Sequence, residues 1–111
     1  MGMINNIDYA KLTSLESEVT YQKGQVVSKT VTKNKLANIT LFAFDKDEGL
    51  SPHTSTGDAL VTVLDGKTKI TIDNVEYTLN KGESILMPAN VVHSVYALEP
   101  FKMLLIVVFE G

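Results

Sequence analysis

Two histidines, His53 and His93, stand forty residues apart in this chain and are its only imidazoles. A neutral imidazole offers one lone pair to a proton or to a cation. Two that converge can orient a ligand, act as base and acid on opposite sides of a carbonyl compound, or supply part of a metal's ligand set. Each histidine follows a proline-containing bend, at Pro52 and at Pro88. The neighbouring polar groups add little. Ser55 is a poor neutral ligand, and Asp58 adjoins Ala59, so strand alternation turns its carboxylate to the opposite face unless a β-bulge intervenes. The chain has no cysteine, which excludes disulfides, thiol catalysis and thiolate metal sites. Its ten basic residues are all lysine. Without the two-pronged guanidinium of arginine, an anionic ligand would meet point charges only.

The elements that position these residues must fit in 111 residues, room for one domain with one core. The net charge of -3 and the scattered lysines give no field or basic stripe for nucleic acid or an anionic membrane. Met1 to Leu12 lacks the apolar stretch of a secretory signal, and the apolar run Met103 to Phe109 is too short to span a bilayer. The expectation is a cytoplasmic protein that meets neither nucleic acid nor membrane.

From Val19 onward the pattern is β. The sequence predicts strands over Gln25–Val31, Leu36–Phe44, Asp58–Leu64, Lys67–Ile72, Val75–Leu79, Ser84–Met87, His93–Leu98 and Phe101–Phe109. Asp45 to Ser51 reads as a charged loop, and Ser51 to Thr54 as extended chain because Pro52 biases Ser51 away from helix. Turns are expected at Asp65-Gly66, Asp73-Asn74, Asn80-Lys81-Gly82 and Glu99-Pro100. Ahead of the strands, Asn6 or Asp8 is expected to cap a short helical turn through Tyr9 to Leu12. Short strands separated by turn signals indicate an all-β sandwich or barrel. Residues 1–24 form an N-terminal segment packed on the barrel or on a partner, and 25–111 form the barrel. The last strand is apolar on both faces, with Met103, Leu105 and Val107 against Leu104, Ile106 and Val108. A barrel buries one face of a strand. The other needs cover from the N-terminal segment or a second subunit, so a homodimer through the outer sheet face is expected.

The run Gly82-Glu-Ser-Ile-Leu-Met-Pro88-Ala-Asn-Val-Val-His93 resembles the second motif of the cupin family, whose glycine, proline, glycine, histidine and asparagine positions fall here on Gly82, Pro88, Asn90, His93 and Ala97. Gly49, His53, Ser55, Ala59 and Gly66 occupy the places of its first motif. The resemblance extends from about Val26 to Phe109. It implies a cupin-like antiparallel β-barrel or jelly roll (a double-stranded β-helix) with a short N-terminal helical or irregular segment. It also implies a divalent metal held by three histidines and a glutamate, but Ser55 and Ala59 stand where the second histidine and the glutamate belong. Only His53 and His93 remain as metal ligands.

Two imidazoles alone make a weak metal site. The reading favoured is therefore a small-molecule-binding cupin with no cofactor assigned. Its site is expected to be an internal pocket in which His53, Ser55 and His93 orient a ligand against Phe44, Ala59, Val61 and Met87. Open beside it stand a metal-dependent dioxygenase or isomerase using His53, His93 and water or substrate, metal-free acid–base chemistry, and a non-catalytic partner-binding domain.

Overall fold

The computed structural model describes residues 2–111; of the N-terminal segment, Met1 lies outside them. Nine strands follow a 3-10 turn at Leu15–Glu18: β1 (Val26–Lys33), β2 (Ala37–Phe44), β3 (Gly49–His53), β4 (Asp58–Asp65), β5 (Lys67–Ile72), β6 (Val75–Asn80), β7 (Ser84–Met87), β8 (His93–Ala97) and β9 (Phe101–Val108). They form two antiparallel sheets, ordered β1-β2-β9-β4-β7 and β3-β8-β5-β6. This is the jelly-roll arrangement expected from the sequence, although the two sheets do not join into a closed barrel. Among the described residues no helix is long and apolar enough to cross a membrane.

Two expectations are corrected. No helical turn forms over Tyr9 to Leu12; Asn6 and Ala10 take positive φ, which breaks any helix there, and the short helical turn falls at Leu15–Glu18. The supposed loop before Ser51 already pairs, since Gly49 and Leu50 face Tyr96 and Val95. Gly49 permits this, because a Cβ there would sit 2.1 Å from the Val95 carbonyl oxygen.

Alternation sets the faces. Paired residues across a sheet share a face, so register converts sequence into layers. On the larger sheet the inner rows are Asn38–Val107–Ala59–Met87, then Thr40–Leu105–Val61–Ile85, then Phe42–Met103–Val63. On the smaller sheet they are His53–His93–Ile72–Val75 and Leu50–Val95–Ile70–Tyr77. The core they enclose is aliphatic and aromatic. Its far end is closed by Phe44 stacked on Phe101, ring centroids 4.6 Å apart. The loops 54–57 and 88–92 and the Asp73-Asn74 hairpin all lie at the opposite end, beside the histidine row.

The outer face of the larger sheet carries a second cluster. Val19, Val31, Leu41 and Ala43 are buried there, packed by Ile7, Leu15, Tyr21, Leu64 and Leu104. The N-terminal segment is thus the cover that β9 requires. Polar contacts fasten it: Tyr21 Oη donates to Asp65 Oδ2 at 2.5 Å, Lys29 pairs with Glu18 at 2.8 Å, and Lys102 Nζ donates to the Glu16 carbonyl at 2.6 Å.

The turn between β4 and β5 carries the chain from the larger sheet to the smaller. Gly66 has φ +77, and a Cβ there would meet the Pro100 carbonyl oxygen at 2.0 Å. Gly66→Ala is expected to lower the free energy of unfolding by about 2–3 kcal/mol, read as a fall in the urea midpoint at unchanged m-value.

Candidate functional site

The two histidines meet. His53 ends β3, His93 opens β8, and they are direct cross-strand partners. Their rings stand edge to face with centroids 4.4 Å apart, and the Nε2 atoms are 3.1 Å from each other. Behind each ring is a backbone carbonyl: His53 Nδ1–H donates to the Ser51 oxygen at 2.7 Å, and His93 Nδ1–H donates to the Val91 oxygen at 3.2 Å. A carbonyl can only accept, so these contacts fix both protons on Nδ1. Two neutral rings so held face each other lone pair to lone pair. The arrangement is relieved by a proton shared between the Nε2 atoms, by a hydrogen-bond donor from a ligand, or by a cation.

Burial opposes the first remedy. His93 is only 4% exposed, and its pKa is pushed below the ordinary value by desolvation and further by the facing His53, against the Val91 hydrogen bond. His53 is exposed, so the pair spans from solvent into the sandwich. It sits at the end of the sandwich that carries the loops 54–57 and 88–92. Surface concavities beside Lys11 and Lys29, between Asp58 and Phe109, and beside Lys69 and Tyr96 are lined by neither histidine.

The other predicted site residues divide. Ala59 and Met87 lie on the inner row at the histidine end, and Val61 is one row deeper. Phe44 is not brought to the histidines; it lies at the far end, against Phe101. Ser55 is in the rim loop, its Oγ accepting from the Gly57 amide at 3.2 Å. Asp58 is turned outward, where Oδ1 accepts from the Ala89 amide at 2.8 Å. No carboxylate therefore joins the pair, and among the described residues no group of three His, Cys, Asp or Glu side chains is placed to hold a metal ion. Two residues on the inner face escaped the sequence reading as site candidates. Tyr77 pairs with Ile70, and Asn38 shares the row of Val107 and Ala59. Counting back by twos from Phe44 puts Asn38 on the inward face, and that signal was available in the sequence.

The family model described as a cupin domain matches residues 40–109. The chain belongs to the cupin family. A conserved protein of unknown function from Streptococcus pyogenes is 42% identical over 100% of this chain and 97% of that one, with a TM-score of 0.98. A cupin superfamily protein from Desulfitobacterium hafniense is 27% identical over 98% of this chain and 100% of that one, with a TM-score of 0.93. A cupin 2 conserved barrel domain protein from Leptotrichia buccalis is 45% identical over 84% of this chain and 45% of that one, with a TM-score of 0.81. No curated protein sequence matches the chain. In this cupin, Asn90 fills the motif's second glycine position with φ +64, a left-handed conformation that asparagine tolerates.

The depressed pKa of His93 has a thermodynamic consequence. The unfolded chain takes up that proton first, near the ordinary value of 6.5. Stability due to neutral His93 is therefore fully present above that pH and is lost as pH falls through the folded value. Urea denaturation from about pH 7 to about pH 5 is expected to show falling stability, with a shallower slope in His93→Gln.

Proposed function

We propose that this cupin binds a small molecule at the open mouth of its barrel, with the histidine pair as the polar anchor and apolar side chains as the walls. The observation that carries the reading is the facing of two Nε2 lone pairs 3.1 Å apart, each ring locked from behind by a carbonyl. A ligand hydroxyl, amide or ammonium would donate to this pair and remove the conflict between them. The walls are supplied by Ile72, Val75 and Tyr77 on one sheet and by Ala59, Met87 and Val107 on the other. Val75 is 52% exposed although it lies on the inner face, as a wall of an open mouth would be.

The same separation favours a second reading. Two imidazoles bound to one ion at about 2.1 Å and at a right angle lie about 3.0 Å apart. His53 and His93 would then supply two adjacent positions, with water or substrate completing the set, and a bound ion would act as a Lewis acid or oxygen-activating centre. Among the described residues no third donor joins the pair, so an ion there would be held loosely.

We further propose that two copies pair through the outer face of the larger sheet. The N-terminal cover ends short of the β4–β7 edge. There Leu86, Leu60 and Ile106 continue the cross-strand row that begins at Ile39 under the cover, with Leu86 61% and nearby Val108 57% exposed.

Replacement of both histidines by alanine is expected to abolish saturable metabolite binding, read by mass spectrometry of retained small molecules and by NMR titration; unaltered affinity would reject the anchor. After loading with iron, manganese, nickel or zinc and dialysis, less than one ion per chain is expected to remain. One ion per chain, lost in His93→Ala, would install the second reading. Leu60→Glu combined with Leu86→Glu is expected to convert a dimeric species to a monomer in sedimentation at unchanged circular dichroism.

A further inference from the structure

Among the described residues, one buried side-chain polar atom has no hydrogen-bond partner: Oδ1 of Asn38. Buried acceptors are paired as a rule, and one left unpaired lowers the stability of the fold. The sequence did not require this. A leucine has nearly the same shape, and the neighbours of Asn38 on its row, Val107, Ala59 and Met87, are all apolar. Its place is informative. That row is the outermost of the inner face at the end carrying the loops 54–57 and 88–92, where the other sheet presents His53 and His93. Thr40 is the next inward residue on the same strand face.

We infer that Asn38 is a third polar anchor of the mouth, accepting a hydrogen bond from an uncharged ligand that carries two or more hydroxyl or amide donors. The inference rests on the small-molecule reading of the histidine pair and names its ligand class. Three of the inward polar atoms at this end are acceptors, two imidazole Nε2 atoms and the Asn38 amide oxygen, and the Asn38 Nδ2 is the donor beside them. An anion would face three lone pairs for that one amide group. Lysines 67 and 69 alternate with buried Thr68 and Ile70 and so lie on the outer face. Lys33 pairs with Asn38 across β1 and β2, but it is exposed on the edge strand and leaves Oδ1 without a partner. The apolar side chains between the anchors call for a ligand with a carbon frame between its donors. A local cost in stability, at the same end as the conflict between the histidines, is the pattern of a site whose polar groups await a ligand.

The test uses the full chain and two probes that share a carbon frame, cis-1,2-cyclohexanediol and cyclohexanecarboxylate, titrated by two-dimensional amide NMR. The diol is expected to give saturable shifts at β2 and at the start of β8, the carboxylate weaker ones. Asn38→Leu is expected to weaken diol binding about tenfold while raising the urea midpoint, since it removes an unsatisfied acceptor and keeps the volume. Diol binding unchanged in Asn38→Leu but lost in His93→Ala would overturn the role of Asn38 and leave the histidine anchor standing. Binding indifferent to both substitutions would overturn both readings. Tighter binding of the carboxylate, or no saturable diol binding up to its solubility, would overturn the ligand class. A lower urea midpoint in Asn38→Leu would show that the amide is structurally partnered and would likewise defeat the inference.

Discussion

The final strand is apolar on both faces, and the architecture follows from burying it twice. β9 lies between β2 and β4 in the larger sheet. Its inner residues Met103 and Val107 complete the core between the sheets, while Leu104 belongs to the cluster on the outer face. A two-layer sandwich covers only one side of such a strand. The N-terminal segment supplies a third layer from a chain with almost no regular structure. Irregular chain lying on an apolar sheet must still satisfy its backbone polar groups. Accordingly the segment bonds to β1 through Asn5 N to the Val31 oxygen and Asn6 Nδ2 to the Thr30 oxygen, and Lys102, reaching outward from β9 itself, donates to the Glu16 carbonyl. Lys102 also lies 4.9 Å from the Tyr21 ring centre, so one side chain couples the cover to the strand it protects.

The opposite end of the molecule obeys a different logic. Where Phe44 and Phe101 stack, the interior is aromatic and aliphatic, and no buried side-chain polar atom of the described residues is left without a partner there. At the histidine end the fold tolerates two polar conflicts, the facing Nε2 atoms and the unpartnered Asn38 oxygen. They sit on sheets brought together by different loops, so no single turn accounts for both. The stacked aromatics thus lie at one end and the two unmatched polar sites at the other.

Much of this was legible from the residues. Turn chemistry and alternation located eight of the nine strands, because apolar residues repeat at a spacing of two and Asp73-Asn74, both at positive φ, closes the hairpin as such pairs do. β3 was shortened because Asp45 to Glu48 are charged and Gly49 is a poor strand former, whereas its pairing is decided by the close approach to Val95. The helical turn expected over Tyr9 to Leu12 rests on a capping residue alone, Asn6 or Asp8, and a cap without a helix behind it forms none; the turn falls at Leu15–Glu18. The meeting of His53 and His93 followed from topology and was expected. The depth of the pair was not, since local pattern assigns a face to a side chain but says nothing of how far along the barrel the row lies. For the same reason Phe44 was grouped with the histidines though it lies at the other end.

What holds the site's frame in the absence of two motif ligands can be read from the loops. Ser55 and Ala59 stand where a histidine and a glutamate would help tie β3 and β4 to β8 through an ion. In this cupin the ties are hydrogen bonds made by other groups. The Asn90 amide donates to the Ser55 carbonyl at 2.7 Å and the Asp73 amide to the Val92 carbonyl at 2.9 Å, while Asp58, turned outward, accepts from the Ala89 amide. Both loops flanking the pair are therefore fixed by contacts that involve neither imidazole. The histidines are positioned by their surroundings, each ring bonded to the carbonyl two residues before it. Their Nε2 atoms are thus held in place by the fold itself, so a ligand of the proposed kind would meet groups already ordered during folding.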